Sequence, residues 1–382
     1  MNYITDELTT STPVQMQIKS EFPMKSNPVA AHLSECFGLN KVDVSLKPIG
    51  NGHINTTMLL KTDEHALVVQ KLNTDVFPHP EQLVENARLI EQHLTEKHQK
   101  GEYDLDIIRH VPTIKNDFLV EYDHGVWRAL EFIGGSYSED VVATISQAQT
   151  AANAFGQFAL ALQDFEADKL HHVIPNFHNL AMRFDAFKKV VEHDPASRVA
   201  LCQSDIDFCL NQHALVDELK GLEGKIPLRP CHNDTKINNM LFCKQSDDAK
   251  AVIDLDTCMP GYWLFDFGDM VRTFCSPEQE DSTNLNNVRV REEIFAAIVK
   301  GYVEPLKEVI TDAEKESFWL GTKVMTFMIG LRFLTDFIDG DNYFATKHAH
   351  HNLERARNQF ALYRDILAKE HTLKAILEIN NG

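Results

Sequence analysis

The segment of residues 232–239 contains the residue types that phosphoryl transfer requires. Asp234 lies two residues after a histidine, and Asn239 follows five residues later. In phosphoryl-transfer loops of this pattern, the aspartate accepts the proton of the attacking hydroxyl and the asparagine binds magnesium. Lys236 lies where its ammonium group could contact the phosphate being transferred. The loop therefore predicts Asp234 and Lys236 as catalytic residues and Asn239 as a metal ligand.

A second metal ligand is expected from the apolar run 251–253, because this run ends at Asp254. Magnesium takes few protein ligands and shares its other coordination positions with phosphate and water. The triplet Asp266-Phe267-Gly268 offers another aspartate, but only Asp254 directly follows a predicted strand. We therefore predict Asp254 as the ligand. We expect Asp266 and Asp269 to brace the catalytic loop from a helix start, where carboxylates are favourable.

The H-x-D-x-x-x-x-N spacing can also arise by chance. Two features argue against chance here. The strand that ends in Asp254 follows at a suitable distance, and a small β-rich half with a glycine loop precedes a larger helical half. Agreement between several independent parts of one site is stronger than any single motif.

The first half of the chain contains strands that could cover a nucleotide. Extended runs flank Gly50 and Gly52, and such glycines let backbone amides approach phosphates closely. Taken alone, this pattern is more often an ordinary hairpin turn. The next strand, predicted over 67–72, contains Lys71, which we expect to contact the nucleotide phosphates. Side-chain alternation does not decide whether Lys71 or Gln70 faces the cleft.

An amphipathic helix is predicted over residues 81–97, directly after these strands. In kinases a helix at this place supplies a glutamate that pairs with the lysine of the third strand. Glu81, Glu85 and Glu91 are the candidates, and the sequence does not distinguish among them.

A strand that ends in Gly134-Gly135 predicts a hinge between two lobes. We expect the adenine base to hydrogen-bond to the backbone here, with Glu131 and Ile133 as the nucleotide-binding residues. The predicted division is a flexible tail over 1–20, a nucleotide-covering N-lobe over 21–133 and a catalytic, substrate-binding C-lobe over 134–382. The predicted fold is α+β and two-lobed, with a small β-rich lobe and a larger, mainly helical lobe.

Composition limits the possible partners. The 382 residues exceed what one hydrophobic core usually supports, and the net charge of −19 argues against nucleic acid, whose binding needs a basic surface. Seven cysteines without a C-x-x-C pair favour reduced thiols and a cytoplasmic protein. No signal sequence is evident. Charged residues interrupt the apolar run 318–337, so we predict a buried core helix and no membrane span.

These motifs resemble the aminoglycoside phosphotransferase and choline kinase superfamily. The longer runs H-N-D-T-K-I-N-N-M-L-F, V-I-D-L-D-T-x-M-P-G, F-D-F-G-D-x-x-R and L-R-F-L-T-D-F-x-x-G-D-x-Y-F resemble its N-acetylhexosamine 1-kinase branch. The resemblance covers the chain from about residue 25 onward and implies a protein-kinase-like fold. It also implies ATP- and magnesium-dependent phosphorylation of the anomeric hydroxyl of a hexosamine or a related sugar.

The resemblance assigns roles to residues at matching positions. It implies Asp234 as the general base, Asn239 and Asp254 as magnesium ligands, and His53 and Arg332 as sugar contacts. Arg332 could instead form an internal ion pair with Asp336. Thr273 departs from the branch, which tends to have an aromatic residue there, so the identity of the sugar stays open.

Two other functions remain as alternatives. The acidic composition also suits a kinase for a cationic aminoglycoside or amino alcohol. A catalytically silent nucleotide-binding regulator is the second alternative, but the presence of Asp234, Asn239 and Asp254 counts against it. The oligomeric state is not indicated by the sequence.

Overall fold

The computed structural model describes residues 27–39, 44–50 and 54–379. The predicted nucleotide residue Gly52, the predicted sugar contact His53 and the predicted tail over 1–20 lie outside the described residues.

The first part of the chain forms an antiparallel five-stranded sheet and two helices. The strands are β1 (Ser45–Pro48), β2 (Thr56–Lys61), β3 (Ala66–Leu72), β4 (Val120–Tyr122) and β5 (Gly125–Glu131), and the helices are α1 (Pro28–Cys36) and α2 (Pro80–Gln99). The strand order is β1-β2-β3-β5-β4. Side chains alternate across a sheet, so Val69 of β3 packs with α1 on one face while Gln70 points to the other.

The second part is mainly helical. Its helices are α3 (Ile145–Ala161), α4 (Leu180–His193), α5 (Gln203–Leu210), α6 (Ala214–Lys220), α7 (Trp263–Phe274), α8 (Glu292–Leu306), α9 (Asp312–Asp339), α10 (His351–Ala368) and α11 (Glu370–Ile379). Its short strands are β6 (Ser136–Tyr137), β7 (Arg229–Cys231), β8 (Met240–Cys243), β9 (Ala249–Val252) and β10 (Met259–Gly261). They form two small sheets, β6-β8-β9 and β7-β10. The predicted α+β fold, with a β-rich first part and a mainly helical second part, is confirmed.

Helix α9 contains the apolar run for which a core helix was predicted. It begins with a capping box, in which the Thr311 hydroxyl accepts from the Glu314 N–H and the Glu314 carboxylate accepts from the Thr311 N–H. It ends at Gly340, whose φ of 102° suits glycine. In the described part of the chain, no helix is long and apolar enough to cross a membrane.

Helices α7 and α9 approach most closely at two glycines. A Cβ atom on Gly268 would overlap the carbonyl oxygen of Gly321, and one on Gly321 would overlap the carbonyl oxygen of Leu264. The glycine of the D-F-G triplet is therefore a packing residue between helices. This contact fixes α7, which carries Asp266, against the central helix of the second part.

We expect Gly268→Ala to destabilise the protein by about 2 kcal/mol, because the methyl group forces α7 away from α9. Urea unfolding at constant pH measures this. Gly134→Ala is the matched control, because the nearest atom to its added Cβ is a Phe132 ring carbon at 4.0 Å. Equal unfolding midpoints for Gly268→Ala and the wild type would contradict this account of the helix contact.

Candidate active site

The cleft between the sheet and the helical part brings together four of the predicted residues. Asp234, Lys236 and Asn239 come from the loop between β7 and β8, and Asp254 follows β9. The sheet contributes Gln70 to the opposite wall of the same cleft. The chain therefore places its candidate base, lysine and metal ligands in one cavity.

Asp234 is held by the residues predicted to act with it. Asn239 donates from Nδ2 to Asp234 Oδ2 (2.9 Å) and to the Asp234 carbonyl (2.8 Å). Lys236 Nζ lies 3.0 Å from Asp234 Oδ1. The Lys236 ammonium lowers the pKa of Asp234 against the opposing effect of burial, so this carboxylate is ionised and able to accept a proton. Because the Asn239 nitrogen binds Asp234, the Asn239 side-chain oxygen is the atom left for a ligand.

The backbone of the catalytic loop is fixed by Asp266 of α7. Its carboxylate accepts from the backbone N–H of His232 (3.0 Å) and of Asn233 (2.7 Å), and its carbonyl accepts from the Thr235 hydroxyl (2.6 Å). This is the bracing expected of Asp266. Asp269 behaves differently, because its carboxylate accepts from Arg272 Nε at 2.8 Å.

His232 connects the catalytic loop to the candidate metal ligand. Its ring is fully buried, with edges against Phe155 and Phe158. Nε2 donates to the Ile253 carbonyl (2.9 Å) and Nδ1 accepts from the Asp234 N–H (3.3 Å). Burial lowers the pKa of His232, which keeps the ring neutral and suits one donor and one acceptor.

Asp254 lies in a concentration of negative charge. Burial among protein atoms and the carboxylates of Asp256 and Asp234 raise the pKa of Asp254 to about 7. Its side chain remains exposed to water, which screens these charges. Within the described residues, no three His, Cys, Asp or Glu side chains are arranged to hold a metal ion. The donors present here, Asn239 and Asp254, fit an ion that takes few protein ligands and binds phosphate and water besides.

A buried ion pair connects the sheet to this acidic cluster. Arg128 of β5 is 2% exposed, and its Nη2 lies 2.6 Å from Asp256 Oδ1. Arg128 also donates from Nε to Gln70 Oε1 (2.8 Å). Asn55 Nδ2 donates to the other Asp256 oxygen at 2.7 Å. Arg128 and Asn55 belong to no sequence motif, and the second aspartate of I-D-L-D is the local signal for Asp256.

Lys71 is not brought to this cleft, contrary to the prediction that it contacts the phosphates. Gln70 pairs with Arg128 across β3 and β5, whereas Lys71 pairs with Trp127 and points to the opposite face. Its Nζ donates to the Asp123 carbonyl at 3.2 Å. Gln70 lines the cleft, so alternation along β3 places Gln70 inward and Lys71 outward.

The three glutamates considered as partners of Lys71 have other contacts. Glu81 lies 3.3 Å from His79, Glu85 lies 3.0 Å from His171, and Glu91 accepts from the His110 N–H at 3.0 Å. Helix α2 therefore does not form a lysine–glutamate pair with β3 in the described chain.

The predicted hinge around Glu131 and Ile133 has both paired and unpaired backbone groups. Glu131 N–H donates to the Arg109 carbonyl (2.9 Å), and the Ile133 carbonyl accepts from the Ser136 hydroxyl (2.6 Å). The Ile133 N–H has no hydrogen-bond partner among the described residues and remains available to a ligand. Gly50 follows β1 with a φ of 71°, and no atom of the described residues lies within 4 Å of the place that a Cβ would take. The nucleotide-binding roles of Glu131, Ile133 and Gly50 stay predictions.

Arg332 of α9 lies among aromatic rings and is only 8% exposed. Its Nη2 donates to the Tyr343 hydroxyl (3.3 Å), and its guanidinium lies within 5.5 Å of the ring centres of Phe177, Tyr343 and Phe344. The alternative ion pair with Asp336 is not formed. Asp336 instead accepts from the backbone N–H groups of Tyr343 (2.7 Å) and Phe344 (2.9 Å), which holds this loop in place.

A second arginine reinforces the positive charge. Burial and the neighbouring Arg183 lower the pKa of Arg332 to about 10. Arg183 donates to the Phe177 carbonyl (3.2 Å), while its Nε has no hydrogen-bond partner. Among the described residues, no carboxylate forms an ion pair with Arg183 or Arg332, so these two neighbouring guanidiniums have hydrogen-bond donors without a charged partner.

Sequence comparison gives the family to which this fold and candidate site belong. Residues 45–302 match the model of the phosphotransferase enzyme family. The chain belongs to this family. It is an ATP-dependent small-molecule kinase of the aminoglycoside phosphotransferase and choline kinase type, so the predicted superfamily is confirmed.

Solved structures support the same fold at low sequence identity. A microcompartment-associated aminopropanol kinase is 18% identical, with a TM-score of 0.58, and the match covers 90% of this chain and 97% of that one. A spectinomycin phosphotransferase in complex with ADP and spectinomycin is 14% identical (TM-score 0.54; 94% and 99% covered). A choline kinase from Cryptosporidium parvum is also 14% identical (TM-score 0.53; 92% and 98% covered).

We expect Asp266→Asn to lower kcat about 10- to 100-fold, the range seen when a residue that orients a site is changed. The new amide nitrogen cannot accept from the backbone, so the His232 or Asn233 N–H loses its partner. ADP formation measures the effect. Asp217→Asn on the exposed face of α6 is the control. Wild-type kcat in Asp266→Asn would contradict the bracing role.

The charge cluster at Asp254 predicts a pH dependence of stability without magnesium. The folded protein keeps the Asp254 proton up to about pH 7, whereas the unfolded chain loses it near pH 4, so stability falls as pH rises through this window. Asp254→Asn removes this loss. By urea unfolding, we expect the variant to match the wild type near pH 4 and to exceed it by about 1 kcal/mol above pH 7.

Asp248→Asn, in an exposed turn, is the matched control for Asp254→Asn. Parallel stability curves for the wild type and Asp254→Asn from pH 4 to pH 8 would be inconsistent with carboxylate repulsion at this site.

Proposed function

We propose that this protein transfers the γ-phosphate of ATP to O1 of an N-acetylhexosamine or a closely related sugar. The observation that carries the choice of acceptor is that Arg183 and Arg332 offer guanidinium donors without carboxylate partners among the described residues, and we assign these two residues to one wall of the acceptor site. The sequence resemblance to the N-acetylhexosamine 1-kinase branch supports the same choice.

Asp234 is the general base in this proposal. Its carboxylate is ionised, fixed by Asn239 and Lys236, and lies in the cleft where an acceptor hydroxyl can reach it. The hydroxyl gives its proton to Asp234 while its oxygen attacks the γ-phosphorus, and the bond between this phosphorus and the β–γ bridging oxygen breaks to release ADP. Lys236 lies close enough to offset the negative charge of the phosphoryl group in the transition state.

Magnesium fits the cleft through the Asn239 side-chain oxygen and the Asp254 carboxylate. When bound, the ion would neutralise the nucleotide phosphates and relieve the repulsion among Asp254, Asp256 and Asp234. Arg128 sits behind this site and compensates Asp256, leaving Asp254 as the carboxylate directed to the ion. We assign the adenine to the hinge, where the Ile133 N–H is a free donor, and the phosphates to the loop at Gly50.

A neutral, oxygen-rich acceptor suits the remaining wall better than a cation does. Arg183 and Arg332 present hydrogen-bond donors, which bind hydroxyl and carbonyl oxygens. An aminoglycoside or amino alcohol would bring its ammonium groups toward these two guanidiniums and would be repelled. Recognition of such a substrate needs carboxylates at this wall, and Asp336 is occupied by backbone N–H groups instead.

We expect N-acetylglucosamine or N-acetylgalactosamine to produce ADP fastest in an acceptor panel that also contains glucose, choline and kanamycin. The panel is run with ATP and magnesium, and ADP is measured. Turnover restricted to choline or kanamycin would overturn the proposed acceptor while leaving the kinase class intact.

Asp234→Ala is expected to reduce turnover at least about 10³-fold and to leave ATP affinity near the wild-type value, because its carboxylate acts on the acceptor proton. Binding is followed by calorimetry with a non-hydrolysable ATP analogue, and turnover by ADP release. Asp248→Ala serves as the exposed control. Near wild-type turnover in Asp234→Ala would show that another group is the base.

A further inference from the structure

His178 lies beside the catalytic loop but belongs to no motif of the sequence. It lies two residues before the start of α4, and its ring lies near two aromatic rings, with centre distances of 4.5 Å to Phe177 and 4.7 Å to Phe265 of α7. Packing on these rings leaves the imidazole little freedom to turn. The residue is half-buried, and Asp234 of the catalytic loop is among the charged groups that act on its ring.

One edge of the His178 ring hydrogen-bonds to Asn233, the neighbour of Asp234. Asn233 uses its Nδ2 for the Cys231 carbonyl (3.1 Å) and the Thr257 carbonyl (3.0 Å). Its side-chain oxygen is therefore the atom that meets His178, and this oxygen accepts from a ring N–H. A neutral imidazole that donates from one nitrogen has an acceptor at the other.

The second ring nitrogen has no hydrogen-bond partner among the described residues. The charged groups that act on the ring are Arg332, Arg183 and Asp234. Burial and the two arginines lower the pKa of His178 to about 3, so the ring stays neutral at physiological pH and its free nitrogen stays an acceptor. The free ring nitrogen of His178 is thus a hydrogen-bond acceptor near the guanidiniums of Arg332 and Arg183 and near the candidate base Asp234.

We propose that His178 is a substrate-contacting residue that selects the acceptor sugar by accepting a hydrogen bond from an amide N–H or hydroxyl beside the reacting carbon. This inference rests on the proposed function. An acetamido group matches the wall in both respects, because its N–H can donate to His178 while its carbonyl accepts from Arg332. A sugar with a hydroxyl on the carbon beside the reacting carbon has one small group there, where the acetamido sugar has both an N–H and a carbonyl.

Two substitutions at His178 separate the hydrogen bond from packing. His178→Phe keeps an aromatic ring between Phe177 and Phe265 but has no acceptor. His178→Gln keeps an acceptor on a flexible side chain. His213→Phe is the control, since His213 also packs against a phenylalanine, Phe184, but is exposed on the helical part. Thermal unfolding identifies any variant that fails to fold.

For His178→Phe, we expect KM for the N-acetylhexosamine to rise about tenfold, the effect of one lost hydrogen bond, with KM for ATP unchanged. The preference for the acetamido sugar over glucose should shrink by the same factor. His178→Gln should recover part of the preference, and His213→Phe should match the wild type.

Unchanged KM and sugar preference in His178→Phe would overturn this inference alone. An equal loss with both sugars would also overturn it, because it would indicate a general packing effect. Failure of the wild type to phosphorylate any sugar would overturn the proposed function and this inference with it. If His178→Phe does not fold, His178→Gln provides the test. In that variant, an unaltered preference for the acetamido sugar over glucose together with a raised KM for ATP would contradict the assignment.

Discussion

The carboxylate of Asp256 joins the two halves of the cleft. It receives Arg128 and Asn55 from the sheet side while belonging to the segment that carries Asp254. Removing one partner of a buried ion pair costs about 3 to 5 kcal/mol, because the other charge is left without compensation. The pair therefore contributes mainly to the relative position of the halves. Arg128 also neutralises the negative charge of Asp256. The more exposed Asp254 is therefore the carboxylate left to bind a cation.

The catalytic loop depends on side chains that bind backbone. Asp266 holds two successive N–H groups, His232 joins the loop to the strand before Asp254, and Asn233 binds carbonyls of the segment that follows. Asp234 is consequently positioned before any substrate arrives. Preorganised polar groups need no reorganisation during the reaction, which is the largest contribution that many enzymes make to catalysis. The close contact of Gly268 with Gly321 extends this rigidity from the loop into α9.

Short-range spacing allowed part of the site to be predicted from sequence. Asp234, Lys236, Asn239 and Asp254 lie within one loop and one strand end, so their proximity needs little knowledge of the fold. The core helix over 318–337 was predictable because its apolar length exceeds that of a strand and its capping box and terminal glycine are local signals.

The remaining residues depend on register and long-range packing. Lys71 and Gln70 are adjacent, and only the pairing of β3 with β5 decides which faces the cleft. Arg128 lies on another strand, Arg183 lies in α4, and His178 lies in the segment before α4. Such contacts join residues far apart in sequence, and no short motif specifies them. Gly52 and His53 lie outside the described residues, so their predicted roles stay predictions.

The position of the new phosphate ester on the product tests the central claim most directly. The protein is incubated with ATP, magnesium and N-acetylglucosamine or N-acetylgalactosamine, and the product is examined by ³¹P–¹H correlation NMR. Our account predicts that the phosphorus couples to the anomeric proton at C1, because Asp234 accepts the proton of O1. Coupling to the protons at C6, or no phosphate ester with either sugar, would contradict it.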